Sequence, residues 1–212
     1  MAEPLVAQPI GAFLDGLASS APTPGGGSVA AMSGAMAAGL VSMVCALTIG
    51  KKQFAAIEDE VRGIHDRAEA LRSDLQSLAE QDIEVFSRLS AAYKLPRTTE
   101  ADAATRQAAI QQATRLAAEV PLRTAQAAAA IMPLCTALAP RVGRLIVSDV
   151  GVAALLARAT VQSAILNIEI NLAGLEDQLF VRQTRGRVED LIIGLSEEAE
   201  GVVAIVRGRI NQ

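Results

Sequence analysis

Residues 53–93, QFAAIEDEVRGIHDRAEALRSDLQSLAEQDIEVFSRLSAAY, carry the strongest structural signal in this sequence. Apolar side chains, with one exception, recur in this segment at alternating steps of four and three residues. This is the spacing of residues on one face of a packed α-helix. The positions on this face are Ile57, Val61, Ile64, Ala68, Leu71, Leu75, Leu78, Asp82, Val85, Leu89 and Ala92. The pattern predicts one long amphipathic helix. It should end before Pro96, since a proline disfavours helical geometry in the residue before it.

The segments on either side are also predicted to be helical. Alanine, the strongest helix former, supplies roughly a fifth of the 212 residues. Further helices are predicted over residues 5–19, 28–49, 99–130, 148–174 and 175–210, with a kink at Pro121 and a short connector between Pro133 and Pro140. Alternating Val and Ile are confined to residues 145–150, too short a run for a sheet. We therefore predict an all-α fold, a bundle of long antiparallel helices.

Composition excludes several classes of protein. The chain has 19 Lys and Arg against 23 Asp and Glu, a net charge of −4, and only 2% aromatic residues, which argues against a nucleic-acid partner. Cys45 and Cys135 have no neighbours at metal-ligand spacing and are predicted to be buried thiols. Neither a signal peptide nor a linker or repeat is evident, so we expect one domain over residues 1–212, located in the cytoplasm.

The segment from Ser28 to Gly50 contains no charged residue, so a membrane span must be considered. Its composition is mainly Ala, Gly, Ser and Met, which favour insertion weakly, and no second segment is as uniform. Ala30, Gly34 and Ala38 form a small-residue stripe that permits close helix packing. We therefore expect no membrane contact. A helix apolar all round needs to be covered on every side, and a homodimer is the simplest arrangement that covers it.

Asp82 is the one carboxylate on the apolar face of the long helix. An isolated charge among aliphatic side chains costs several kcal/mol unless it is paired, hydrogen-bonded or neutralised. It is either a structural residue that fixes helix register or the centre of a ligand cleft in which its pKa is shifted.

A glycine turn, Gly25, Gly26 and Gly27 followed by Ser28, precedes the apolar helix. No strand precedes it and no Gly-Lys-Ser/Thr ending follows, so it is neither a Walker motif nor a dinucleotide fingerprint. Backbone N–H groups at a helix N-terminus suit a carboxylate or carbonyl ligand. The turn is either such a site or a plain helix start with Ser28 as the N-cap.

Other polar residues lie within or beside the apolar segments. Asn167 and Asn171 share a helix face and offer amide groups to a ligand or to neighbouring helices. Ser148 and Asp149 resemble a helix cap. Lys51 and Lys52 follow the apolar helix, where they can interact with its terminal carbonyls or with anionic ligand groups.

These motifs together resemble a known family. They are Pro22-Thr23-Pro24-Gly25-Gly26-Gly27-Ser28, Thr48-Ile49-Gly50-Lys51-Lys52, Asp82 with Phe86, Ala92-Tyr93-Lys94-Leu95-Pro96, Val120-Pro121-Leu122, Ser148-Asp149-Val150-Gly151-Val152-Ala153 and residues 167–172. In this order they resemble the cyclodeaminase/cyclohydrolase family, the C-terminal half of formiminotransferase-cyclodeaminase and the stand-alone methenyltetrahydrofolate cyclohydrolases. One departure is the stretch 141–145, which lacks the asparagine usual in the family; Arg144 is a candidate replacement.

The resemblance implies an all-helical dimer that binds a tetrahydrofolate. Asp82 matches the catalytic aspartate proposed for the family. The family's shared polar positions correspond here to substrate-binding candidates: Gly25, Gly26, Gly27, Ser28, Lys51, Lys52, Ser148, Asp149, Asn167 and Asn171. The expected reaction is hydrolysis of 5,10-methenyltetrahydrofolate to 10-formyltetrahydrofolate.

Asp82 would stabilise the methenyl cation and accept a proton from water. We expect no metal and no cofactor, since no His/Cys/carboxylate cluster is apparent. The alternative reaction is ammonia-releasing ring closure by a formiminotetrahydrofolate cyclodeaminase; the absence of a fused transferase half favours the hydrolase. The alternative without enzymatic activity is a dimeric helical scaffold.

Overall fold

The computed structural model describes residues 4–212. Its helices are α1 (Ile10–Leu17), α2 (Gly26–Thr48), α3 (Glu58–Tyr93), α4 (Glu100–Ala129), α5 (Met132–Leu138), α6 (Val147–Leu172), α7 (Gln178–Ile192) and α8 (Leu195–Ile210), with short 3₁₀ helices at Leu5–Ala7 and Lys52–Ile57. The described residues contain no β-strand. The prediction of an all-α fold is confirmed.

Helices α2, α3, α4 and α6 form the central bundle. Contacts between α3 and α4 link Gln81 to Arg123 and the Tyr93 carbonyl to Arg106, so residue numbers fall on one helix as they rise on the other. The same relation holds between α2 and α3, where Ser28 meets Asp82 and Gly34 lies beside Leu75. It holds between α4 and α6 as well, where Gln111 bonds Gly174 and Ala117 bonds Asn171. These neighbouring helices are therefore antiparallel, as predicted.

Helix α2 packs closely because small residues face its neighbours. A Cβ added at Gly34 would meet Leu75 of α3 and Thr160 of α6, both at 3.1 Å. Ala30 and Ala38 on the same stripe are buried. The small-residue stripe thus brings α2 into close contact with α3 and α6.

The predicted apolar face of α3 lies against the core. Val61, Ile64, Ala68, Leu75 and Leu78 are buried there. The helix itself begins at Glu58, because the preceding residues 52–57 form a 3₁₀ turn.

Other predicted boundaries were wrong. Residues 5–19 do not form one helix; Pro9 follows the first 3₁₀ turn and α1 begins at Ile10. The connector between Pro133 and Pro140 is mostly helix α5, with Pro133 in its first turn, where a missing N–H costs nothing. Residues 175–210 form two helices, separated at Gly194, whose φ of 73° lies in the region that favours glycine.

Two helices, α2 and α6, are long and apolar enough to cross a membrane by length and composition, and each is buried over about half of its apolar window. Helix α6 is the less uniform of the two, with a mean hydropathy of 1.4 against 1.8 for α2. Both leave apolar side chains exposed: Met36, Met43 and Leu47 on α2, and Val152, Leu155, Leu166 and Ile170 on α6. We refer to these seven side chains as the α2/α6 stripe.

Candidate active site

A cleft of about 320 Å³ opens where α2 begins. Its size falls within the range of small-molecule sites. Residues from α2, α3, α4 and α6 and from the turn before α2 line it: Pro22, Thr23, Gly25, Gly26, Gly27, Asp82, Val85, Phe86, Leu89, Ala117, Asn167, Ile170 and Asn171. Among these described lining residues, Asp82 is the one that ionises. We call this space the Asp82 cleft.

Asp82 is held by the first turn of α2. The hydroxyl of buried Ser28 donates to Asp82 Oδ2 at 2.8 Å, and the Ser28 backbone N–H also donates to this carboxylate. Burial raises the pKa of Asp82 above its usual value, and the two hydrogen bonds from Ser28 oppose that rise without cancelling it. The carboxyl is therefore more basic than an exposed aspartate.

Ser28 is not the N-cap of α2, contrary to one of the two interpretations of the glycine turn. The helix begins at Gly26, and Gly25 occupies the cap position without a side-chain bond. The hydroxyl of Ser28 serves Asp82 instead. The carboxylate at the N-terminus of α2 is thus the chain's own, and the positive end of the helix dipole faces Asp82.

Asn167 and Asn171 lie on α6 beside the glycine turn. Asn167 Nδ2 donates to the Ser163 carbonyl at 2.9 Å, and Asn171 Nδ2 donates to the carbonyls of Ala117 and Asn167 at 2.9 and 2.7 Å. Because carbonyls only accept, these bonds fix the orientation of both amides. Both residues line the Asp82 cleft, and within residues 4–212 neither Oδ1 atom accepts a hydrogen bond. Each amide oxygen is available to a ligand N–H.

Pro121 explains why Ala117 has a carbonyl to offer. Helix α4 continues through Pro121, which has no N–H to donate to the carbonyl four residues earlier. That carbonyl belongs to Ala117 and receives the Asn171 amide instead. At Pro121, where a kink was predicted, α4 is a continuous helix that lacks one backbone hydrogen bond. A residue of the site, Asn171, donates to the carbonyl left without that bond.

The remaining polar candidates lie at the opposite end of the bundle. Lys51 follows the last turn of α2, 24 residues after Gly27, which corresponds to about 36 Å along a helix. Lys52 is adjacent to it. Ser148 and Asp149 are in the first turn of α6, about 28 Å along the helix from Asn167. One chain therefore does not bring these four residues to the Asp82 cleft.

One detail of that far end differs from expectation. The N-cap of α6 is Ile146, so Ser148 and Asp149 lie inside the helix rather than at its cap; Asp149 still places a negative charge in the first turn. Arg144 donates to the Ile210 carbonyl at 2.9 Å, which ties it to the end of α8.

Sequence reasoning named Phe86 only as part of the family motif and did not predict the apolar walls of the cleft. Phe86, 40% exposed, lies one turn after Asp82, and this i, i+4 spacing was a usable signal. Ala117 carried no signal, because nothing distinguishes it from the many other alanines.

The arrangement suits a cationic, nitrogen-rich ligand. Asp82 supplies negative charge and a proton acceptor, the asparagines supply hydrogen-bond acceptors, and aliphatic and aromatic walls limit water. Within residues 4–212 no three His, Cys, Asp or Glu side chains cluster closely enough to hold a metal ion. The absence of a metal stays a prediction.

Comparison with known proteins identifies relatives over nearly the whole chain. Residues 9–190 match the family described as formiminotransferase-cyclodeaminase. The methenyltetrahydrofolate cyclohydrolase of Methylorubrum extorquens is 41% identical over 94% of this chain and 96% of its own length. The formimidoyltransferase-cyclodeaminase of Sus scrofa is 35% identical over 98% of this chain, which spans only 38% of that relative.

A solved structure shares the fold. The formiminotetrahydrofolate cyclodeaminase of Thermotoga maritima superposes with a TM-score of 0.81 at 29% identity, and the match covers 97% of each chain.

Proposed function

This chain belongs to the formiminotransferase-cyclodeaminase family, and from that premise we propose that it hydrolyses 5,10-methenyltetrahydrofolate to 10-formyltetrahydrofolate. The observation that carries the proposal is the Asp82 carboxylate, held by Ser28 in a cleft of ligand size and with a raised pKa. The resemblance in length and sequence to a methenyltetrahydrofolate cyclohydrolase supports the same reaction.

The substrate's methenyl bridge is an amidinium-like cation whose single carbon is electrophilic. Asp82 stabilises this cation and accepts a proton as water adds to that carbon. As the bond between N5 and the carbon breaks, N5 takes up that proton and the hydroxyl of the adduct loses its own proton to bulk water. The formyl group is left on N10, and one proton is released overall. Water is the only other reactant, so the reaction as written needs no cofactor. The free Oδ1 atoms of Asn167 and Asn171 accept hydrogen bonds from the substrate's ring N–H groups.

The test is the loss of the methenyl cation's near-ultraviolet absorbance on addition of enzyme. Asp82→Asn keeps the shape of the side chain and removes the base, so we expect turnover to fall at least a hundredfold, the scale of general-base catalysis. Asp66→Asn, at an exposed position of the same helix, is the matched control. Turnover by Asp82→Asn close to that of the control would refute the role of Asp82.

The cyclodeaminase reaction is the second candidate, and the Thermotoga maritima structure favours it. That match covers 97% of both chains, so the length of the matched region does not separate the two reactions. Formation of the methenyl absorbance from 5-formiminotetrahydrofolate, with release of ammonia, would establish it. If both assays failed and folate did not raise the Tm, the alternative of a non-catalytic helical scaffold would be favoured.

We further propose that the chain acts as a homodimer through the α2/α6 stripe. This stripe exposes seven large apolar side chains on two neighbouring helices, and patches of this kind mark interaction surfaces. A two-fold axis that crosses both helices near their middles would exchange the two ends of the bundle. The other protomer's Asp82 cleft would then be approached by one protomer's Lys51, Lys52, Ser148 and Asp149. In this dimer, the substrate-binding candidates that lie at opposite ends of one chain would come together at one site.

Leu155→Glu tests the dimer, because a carboxylate in the stripe would be buried without a partner. We expect a monomer by light scattering and a loss of turnover, although Leu155 lies outside the Asp82 cleft. Leu179→Glu, at an exposed apolar position on α7, is the control. A wild-type monomer with full activity would overturn the proposal, and binding to lipid vesicles would assign the stripe to a membrane. Location in the cytoplasm stays a prediction.

A further inference from the structure

A second cleft of about 270 Å³ lies beside the first. The two share three lining residues, Pro22, Thr23 and Phe86, so they adjoin each other at Phe86. The second cleft adds Ser87, Ser90, Ala91 and Lys94 from the last turns of α3. We call it the Lys94 cleft.

The charges of the two clefts are opposite. Asp82 is the one ionisable group among the described residues lining the first cleft, and Lys94 is the one ionisable group among those lining the second. A ligand carboxylate is repelled by Asp82 and attracted by Lys94. Lys94 forms none of the ion pairs found within residues 4–212, so no carboxylate of the described chain competes for it.

The position of Lys94 is unusual among the lysines. The sequence has three, and Lys51 and Lys52 lie at the opposite end of the bundle. Lys94 is therefore the lysine nearest to the Asp82 cleft within one chain.

The spacing fits an elongated ligand. Lys94 is 12 residues after Asp82, about 18 Å along the axis of α3. Helical side chains lean toward the N-terminus of their helix, so the flexible Lys94 side chain inclines toward Asp82 and shortens this distance. Phe86 lies between them with its ring 40% exposed, and it can pack against an aromatic group of the ligand.

We propose that the Lys94 cleft binds the p-aminobenzoyl-glutamate tail of the folate, with the aryl ring against Phe86 and a tail carboxylate bound by Lys94. This inference rests on the proposed function, since it assigns the rest of the same substrate. The cationic ring system then occupies the Asp82 cleft, and the anionic end of the substrate lies in the cleft of opposite charge.

A purely structural role for Lys94 makes a different prediction. Lys94 is the C-cap residue of α3, where a cation stabilises the helix dipole. Its loss would then lower Tm and affect all substrates alike. Binding of the tail instead predicts an effect that depends on whether the substrate carries glutamate.

The experiment compares 5,10-methenyltetrahydrofolate with the corresponding methenyltetrahydropteroate, which lacks glutamate. For Lys94→Ala we expect KM for the folate to rise roughly tenfold, the scale of one hydrogen bond to a charged group, with kcat retained. KM for the pteroate should not change. Arg97→Ala removes a nearby cation that does not line the cleft, and it should leave both KM values unchanged.

Three outcomes would overturn the subsite: equal changes in KM for both substrates, no change for either, or a glutamate-dependent change in Lys51→Ala or Lys52→Ala in place of Lys94→Ala. The last would assign the tail to the far end of a second protomer. Failure of the proposed function is distinguishable, because the wild type would then turn over neither substrate. Calorimetric binding of p-aminobenzoyl-glutamate, weakened by Lys94→Ala, tests the cleft without turnover.

Discussion

Gly27 and Asp82 are in such close contact that no side chain fits between them. A Cβ built at Gly27 would lie 2.6 Å from Asp82 Cγ and closer still to Oδ1. The carboxylate therefore occupies the volume that any other residue at position 27 would fill. This contact, together with the Ser28 hydrogen bond, fixes where the reactive group of the cleft lies.

Gly27→Ala should displace the Asp82 carboxylate. We expect the free energy of unfolding to fall by about 1–3 kcal/mol, as for other overpacked sites, and turnover to fall at least tenfold. Gly63→Ala is the control, because a Cβ there meets no atom within 4 Å and the helix should gain about 0.5–1 kcal/mol. Chemical denaturation and steady-state kinetics measure both effects. Wild-type turnover in Gly27→Ala would show that the carboxylate position is not critical.

Ser28→Ala should shift the pH dependence of catalysis. The Ser28 hydroxyl holds down a pKa that burial raises, so its removal should raise the pKa of Asp82 further. If Asp82 is the base, the acidic limb of the pH profile of kcat should then move to higher pH. Ser73→Ala, at an exposed position on α3, should not move it. An unmoved limb in Ser28→Ala would assign that limb to another group.

Asp82→Asn should stabilise the fold at neutral pH. The pKa of Asp82 is raised in the folded state, so ionisation costs more free energy there than in the unfolded chain. That cost is absent below the unfolded-state pKa and fully present above the folded-state pKa. The Tm of Asp82→Asn should therefore exceed that of the wild type at neutral pH, and the difference should vanish in acid. A difference in Tm that did not depend on pH would show that it does not arise from the ionisation of Asp82.

Pro121→Ala should weaken substrate binding without weakening the fold. Alanine restores an N–H that competes with Asn171 for the Ala117 carbonyl, and it removes a helix-interior proline. We expect KM to rise and Tm not to fall. Because both changes act on one contact, adding Pro121→Ala to Asn171→Ala should change KM little further. Additive effects would show that the two residues act separately.

Both cysteines should resist thiol reagents in the folded protein. Burial raises the pKa of the Cys45 and Cys135 thiols to about 12, so almost no thiolate forms at neutral pH. This burial confirms their predicted place in the core. Colorimetric titration should detect both thiols only after denaturation. Rapid reaction of the native protein would contradict the packing around them.

The apolar repeat of residues 57–92 was sufficient to predict α3, its buried face and the exceptional position of Asp82. The ends of helices were less predictable where the backbone conformation of one or two residues determines them. Gly194 divides the last segment through its positive φ. Pro133 lies in the first turn of α5, in a stretch that two prolines had indicated as a connector. Both outcomes depend on local backbone geometry that the residue pattern leaves open.

The amino-acid order alone determined the all-helical class, the buried carboxylate and the family, because periodicity and motif spacing are properties of the chain itself. Only the tertiary structure decided which polar groups meet. It joined Ser28 to Asp82 and Asn171 to Ala117, and it separated Lys51 and Asp149 from both. The physical reason is helix length: each turn advances about 5.4 Å, so antiparallel packing brings distant residues together and keeps the two ends of one helix apart.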